Sequence, residues 1–163
     1  MNKDTTNDAA LAMGSRDVLT EILRSGAREM LTQAIETEVA DYVAEHAHRR
    51  DQGGHRLVVR NGHADPRELL TGVGPIEIKR PRVNDKRMDE QGERIRFASK
   101  ILPPYLRRTQ SVDELIPWLY LKGISTGDFT EALEALLGPQ APGLSASTIV
   151  RLKSVWQTEW QEW

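Results

Sequence analysis

The sequence predicts a mainly α chain with a small antiparallel β-hairpin unit, an α+β class, closing in a three-helix module. Three observations predict it. Apolar residues recur at three- and four-residue steps from Asp17 to about Ala47, which is an amphipathic helical pattern. Turn chemistry and period-two alternation take over between Gln52 and Pro81. Three short amphipathic stretches, set apart by Gly- and Pro-containing turns, then fill residues 109–163.

The elements follow in order. Residues 1–16 are small and polar and read as a disordered tail. In the amphipathic helical region, 17–50, Val18, Leu19, Ile22, Leu23, Met30, Leu31, Ile35, Val39, Tyr42 and Val43 form one apolar row. Ser25-Gly26 interrupts it, so two helices fit as well as one; the row either packs on the rest of the chain or pairs two copies. The next region, 51–100, is basic and of hairpin type. His55 to Arg60 is rich in β-branched residues and runs into Asn61-Gly62, a tight-turn dipeptide. Arg67 to Thr71 makes the next strand, and Ile76 to Lys79 alternates after the Gly72–Pro75 turn. Pro81 is expected to stop that strand, and Val83 to Arg94 to form a flexible charged loop.

The last region is 101–163. Ser111 and Glu114 have capping-box spacing ahead of a helix reaching Lys122, with Pro117 inside it and Gly123 as its stop. Ser125 to Asp128 opens a second helix with Phe129, Leu133, Leu136 and Leu137 on one face. After the turn at residues 138–143, Ser145 to Thr148 starts a third, with Ile149, Leu152, Trp156, Trp160 and Trp163 on its inner stripe.

Composition narrows the function. The chain has no cysteine, which excludes disulfides, thiolate zinc sites and a Cys nucleophile. No run approaches the roughly 20 apolar residues of a membrane span, so no membrane partner is expected and the location is the cytoplasm. The net charge of -2 hides a strong segregation: residues 52–108 hold 13 basic and 7 acidic side chains, between two acidic flanks. A basic centre of that kind is what a phosphate backbone would feel, though a solvated charged hairpin has the same arithmetic. His46, His48, His55 and His63 cross a helix end and a hairpin without metal-ligand spacing, so no metal site is assigned. Phosphate loops and a nucleophile elbow are absent too.

Three short helices, with a Gly-containing turn after the first and hydroxyl residues opening the last, fit a trihelical helix-turn-helix unit. Ala146, Ser147, Val150, Arg151 and Ser154 would face outward, opposite the apolar stripe. Small hydroxyl side chains let the N–H groups and positive dipole end of a helix approach phosphate closely. The DNA-contact candidates are therefore Arg60, Arg67, Lys79, Arg80, Arg82, Arg107, Arg108, Ser145, Ser147, Thr148, Arg151 and Lys153. Lys86 and Arg87 join Lys79, Arg80 and Arg82 as expected sequence-independent phosphate contacts.

The same residues carry a family pattern. Arg60-Asn61-Gly62, Arg67, Thr71, Gly74 and Pro81-Arg82, followed by Leu102–Arg108, Leu119–Phe129 and Leu144–Leu152, resemble the early part of bacterial Mutator-type transposases. The resemblance covers residues 17–163 in order. It implies double-stranded DNA at terminal inverted repeats as the partner, with transposition of an insertion sequence as the process; a bacterial, nucleoid-associated location and a homo-oligomer go with it. It also implies that a ribonuclease-H-like domain carrying an Asp-Asp-Glu triad and Mg²⁺ follows this stretch. Asp113, Glu114, Asp128, Glu131 and Glu134 lie instead on amphipathic helical faces. A DNA-binding N-terminal fragment, holding no cofactor and no catalytic residue, is the resulting expectation. The alternative is a stand-alone helix-turn-helix transcriptional regulator, with residues 17–50 as its dimerising element.

Overall fold

A computed structural model of the chain describes residues 4–139, 141 and 144–162. The elements are α1 (Asp4–Glu45), β1 (Val58–His63), β2 (Arg67–Thr71), β3 (Gly74–Ile78), β4 (Pro81–Asp85), α2 (Gln110–Leu121), α3 (Phe129–Leu137) and α4 (Ala146–Gln161). They fall into two compact units, Met1–Glu68 with Glu77–Leu106, and Leu69–Ile76 with Arg107–Trp163.

In the first unit α1 is one unbroken helix. Gly26 costs about 1 kcal/mol relative to Ala, too little to end a helix that is well supplied with helix formers on both sides. The helix also reaches back to Asp4, through residues expected to form a disordered tail. Ala9, Ala10, Leu11, Ala12 and Met13 are strong helix formers, and each residue added to an existing helix gains a hydrogen bond. Only the C-terminal half of α1 contributes to a core: Ile35 and Val39 are buried, together with Val58, Ile78 and Leu102. Val18, Leu19, Ile22, Leu23 and Met30 stay exposed, Met30 by 75%.

The β part differs from expectation in its pairing. Four strands form two two-stranded sheets, β1 with β4 and β2 with β3. In the antiparallel β1–β4 ladder Val58 faces Asp85, Arg60 faces Val83 and His63 faces Pro81, with a register break between Arg60 and His63. Asn61-Gly62 is therefore an irregularity inside β1 and not the turn of a hairpin. Gly62 takes a φ of 60°, the left-handed conformation such a bulge needs. Pro81 opens β4 instead of ending a strand; the first position of a strand tolerates the missing N–H. The expected hairpin between β2 and β3 is present, tied by the Thr71 hydroxyl, which donates to the Gly74 carbonyl at 2.7 Å.

Residues 83–94 were expected to form a flexible loop; 83–85 instead complete β4, and the rest is an ordered turn. Asp89 Oδ1 accepts from the Gln91 and Glu93 amides at 2.9 and 2.8 Å, and Arg94 Nε donates to the Asp85 carbonyl at 2.7 Å.

The second unit has a core of its own. Leu70, Val112, Ile116, Leu119, Phe129, Leu133, Leu137, Ala141, Leu144 and Ile149 bury together, with Leu152 and Trp156 packed against them. Leu136 is exposed, since only positions 129, 133 and 137 share the inner face of α3. The Trp160 side chain and Trp163 lie outside the described residues, as does much of the 138–143 turn. The β2 strand joins this unit through its end: the Leu70 amide donates to Arg107 O, and the Thr109 amide to Leu70 O, at 2.9 and 3.0 Å. That anchor starts α2 early, with Thr109 as its N-cap, so Ser111 sits in the first turn and the expected capping box does not form. Gly123, with a φ of 94°, follows the end of α2 where the sequence placed a stop.

Candidate nucleic-acid interface

Helix α4 presents an exposed face that carries hydroxyls and a cation. Ser145 caps it, its hydroxyl accepting from the Thr148 amide at 3.3 Å. The Ser145 hydroxyl also lies 2.9 Å from those of Ser147 and Thr148, so three hydroxyl groups cluster at the helix start. Burial of Ile149 fixes the rotation of the helix. Ala146, Ser147, Val150, Arg151 and Ser154 are consequently exposed on the opposite side, as their spacing requires. Arg151 makes no hydrogen bond or ion pair with any described residue. Lys153 points the other way: half-buried, it places its ammonium 5.1 Å from the centre of the Tyr120 ring, a packing contact.

The other cationic candidates divide by what already holds them. Arg60 Nη2 donates to Glu36 Oε1 on α1 at 2.8 Å, and the same oxygen lies 2.9 Å from His63 Nε2. Arg67 reaches the carbonyls of Pro103 and Pro104, at 2.9 Å for the first. Arg108 pairs with Asp113 at 2.6 Å. These three arginines tie the chain to itself, which their charge alone could not reveal. Lys79, Arg80 and Arg107 have no side-chain partner among the described residues, and Arg82 has one long bond, 3.3 Å, to the Asn61 carbonyl. The candidates are divided between the units: Arg60, Arg67, Lys79, Arg80 and Arg82 belong to the first, and Arg107, Arg108 and the α4 residues to the second.

Sequence reasoning missed one cluster entirely. Tyr42 of α1 donates its hydroxyl to Asp85 Oδ2 at 2.7 Å, and Arg87 Nη2 donates to Tyr42 Oη at 2.8 Å and to Asp85 Oδ2 at 2.7 Å. Arg87 was expected to meet phosphate; it is committed to this carboxylate, and Lys86 alone of that pair remains exposed. Burial works to raise the Asp85 carboxyl, but the hydrogen bonds from Arg87 and Tyr42 outweigh it and bring it down to about 2. The Tyr42 hydroxyl is pushed up by burial and by its bond to Asp85. No local signal links residues 43 positions apart, so only the packing of α1 on β4 reveals the cluster.

The residues present do not fit a two-metal centre. Among the described residues no three His, Asp or Glu side chains come together in a way that could hold an ion, and such chemistry needs converging carboxylates. His46 turns to the Tyr42 carbonyl at 2.8 Å, His63 to Glu36 at 2.9 Å and His55 to Asp51 at 3.4 Å, so three of the four histidines have partners within the fold. No helix among the described residues is long and apolar enough to cross a membrane.

Comparison with known proteins places this arrangement among the transposases. The chain is 27% identical over 146 residues to the transposase for insertion sequence element IS1201 of Lactobacillus helveticus, covering 90% of this chain and 37% of that protein. It is 58% identical over 48 residues to the transposase for insertion sequence element IS6120 of Mycolicibacterium smegmatis, covering 29% of this chain and 15% of the relative. The family model described as Transposase, Mutator family, matches residues 1–163. The chain belongs to the Mutator family of transposases, and it spans well under half the length of these curated relatives.

Proposed function

We propose that this chain is a DNA-binding part of an insertion-sequence transposase, recognising terminal inverted repeats in duplex DNA during transposition in the bacterial cytoplasm, at the nucleoid. The observation that carries the reading is the face of α4, where exposed hydroxyls at a capped helix start lie one turn from an uncommitted arginine. Helices α2–α4 then act as a trihelical helix-turn-helix unit, with α4 entering the major groove. Its N-terminal N–H groups and Ser147 meet phosphate, and Arg151 offers a planar fork to a guanine edge. The family match favours this over a stand-alone regulator, because both relatives carry the name of transposases. No described residue is assigned to strand cleavage or to Mg²⁺.

Arg151→Ala should cost about 1–3 kcal/mol of specific binding, a roughly 5- to 150-fold loss, while non-specific binding changes little. Gel-shift titration against DNA selected by the wild-type chain measures it. Unchanged affinity, with the helical circular dichroism intact, would remove Arg151 from the interface.

The exposed row of α1 supports pairing of two copies. Leu19, Leu23, Gly26 and Met30 follow heptad spacing, with Val18 and Ile22 beside them. A Cβ at Gly26 would meet nothing within 4 Å in this chain, so the fold of one copy does not require the glycine. Light scattering should show a dimer that Leu19→Glu/Leu23→Glu converts to a monomer. Equal masses for the two proteins would refute the pairing.

A further inference from the structure

We propose that the first unit holds a second DNA site, a cleft that grips the sugar–phosphate backbone without reading sequence; the proposal rests on the DNA-binding reading above. The cleft has a volume of about 590 Å³ and is walled by the approach to β4, by β4 itself and by residues 94–99. Ile35 and Phe97 contribute apolar lining, and four arginines, Arg80, Arg82, Arg94 and Arg96, are among the lining residues.

Its charge is not balanced from within. The one carboxylate in the lining, Asp85, already receives Arg87 and Tyr42. Arg94 is occupied by the Asp85 carbonyl and the Asn84 side chain. Arg80 and Arg96 have no side-chain hydrogen bond or ion pair among the described residues, and Arg82 keeps only its long bond to Asn61. Two uncommitted guanidiniums and one weakly held one therefore share a concave surface with an apolar lining. Concavity and low polarizability focus their field, and a guanidinium matches two phosphate oxygens at once. The side-chain amides of Asn61 and Asn84 add neutral polar groups beside them. Arg96 lies just past the Val83–Arg94 stretch, and the turn at residues 89–92, closed by the Met88–Arg94 bridge, brings the chain back so that it lines the cleft with Arg80 and Arg82.

The test uses the whole chain and a duplex of arbitrary sequence, with binding followed by fluorescence anisotropy across a salt series. Arg80→Ala/Arg96→Ala should weaken binding severalfold or more and shallow the log–log salt slope by about 1.8, at about 0.9 per phosphate contact. Arg80→Lys/Arg96→Lys should restore most of the slope. Arg49→Ala/Arg56→Ala makes the same change of net charge outside the cleft and should change the slope less. A wild-type slope in the Arg80/Arg96 variant, or an equal drop in the control pair, would overturn the cleft. The α4 reading would survive that result if Arg151→Ala still weakened specific binding. Saturable inorganic phosphate binding that needs Arg80 and Arg96, with an unchanged duplex slope, would mean a free-anion site and would also overturn the proposal. A wild-type chain that binds no duplex at all would overturn both readings together.

Discussion

Phe129→Ala is expected to destabilise the three-helix unit by about 4 kcal/mol, the usual cost of emptying a fully enclosed aromatic site. Phe129 is the first residue of α3, has no exposed surface, and belongs to the cluster that includes Ile116, Leu133 and Ile149. A unit of this size has only a few kcal/mol to lose, so the variant should be largely unfolded in α2–α4 at 37 °C. Because burial of Ile149 sets which side of α4 faces outward, specific DNA binding should disappear with the fold. Urea titration followed by Trp118 and Trp156 fluorescence measures the loss. A midpoint within experimental error of wild type would mean that the core closes over the vacancy, and that α4 is held by other contacts.

Asp85→Ala comes next in size, at about 3 kcal/mol, because it strips the partner from a partly buried arginine and a partly buried tyrosine hydroxyl. The Asp85 side chain is 1% exposed, and it accepts from both Arg87 and Tyr42. A pH dependence follows from the same contacts. The folded carboxyl lies at about 2, below its ordinary 3.8, so the unfolded chain takes up a proton first. Its stabilisation is complete above the ordinary value and is lost as pH falls toward 2, a change of about 2 kcal/mol. Wild type should therefore lose more stability between pH 5 and 2 than Asp85→Ala does. Parallel stability curves for the two proteins would show that the carboxylate contributes nothing through its charge.

Much of the second unit could be read directly from the residues. Ser145 to Thr148 as a helix start, Gly123 as a stop, three of the four residues of the Phe129/Leu133/Leu136/Leu137 row and the outward set around Arg151 all rest on contacts within a turn or two of chain. The same holds for the β2–β3 hairpin, whose Thr71–Gly74 tie closes over three residues. The family resemblance was legible as well, and the match over residues 1–163 agrees with it.

The first unit was much less legible. Asn61-Gly62 has the chemistry of a tight turn, and it becomes a bulge because β1 pairs with β4 more than twenty residues away. Pro81 ends a strand or starts one according to which neighbour lies beside it. The apolar row of α1 looks uniform in sequence, yet only Ile35 and Val39 are fully buried, and Val18, Leu19, Ile22, Leu23 and Met30 stay exposed.

The DNA-contact candidates show the same limit. By itself the sequence determined where cations concentrate, which helix ends carry hydroxyls and which residues share a helical face, since these depend on residue type and on the periods 3.6 and 2. Only the tertiary structure decided which cations remain available. Arg60, Arg67, Arg87 and Arg108 carry the same charge as Arg80, Arg96 and Arg151, but the first four are held by Glu36, two proline carbonyls, Asp85 and Asp113. A guanidinium within reach of a carboxylate or carbonyl is held there by charge and geometry, and several of these partners lie 24 to 37 residues away, where neither propensity nor periodicity reaches.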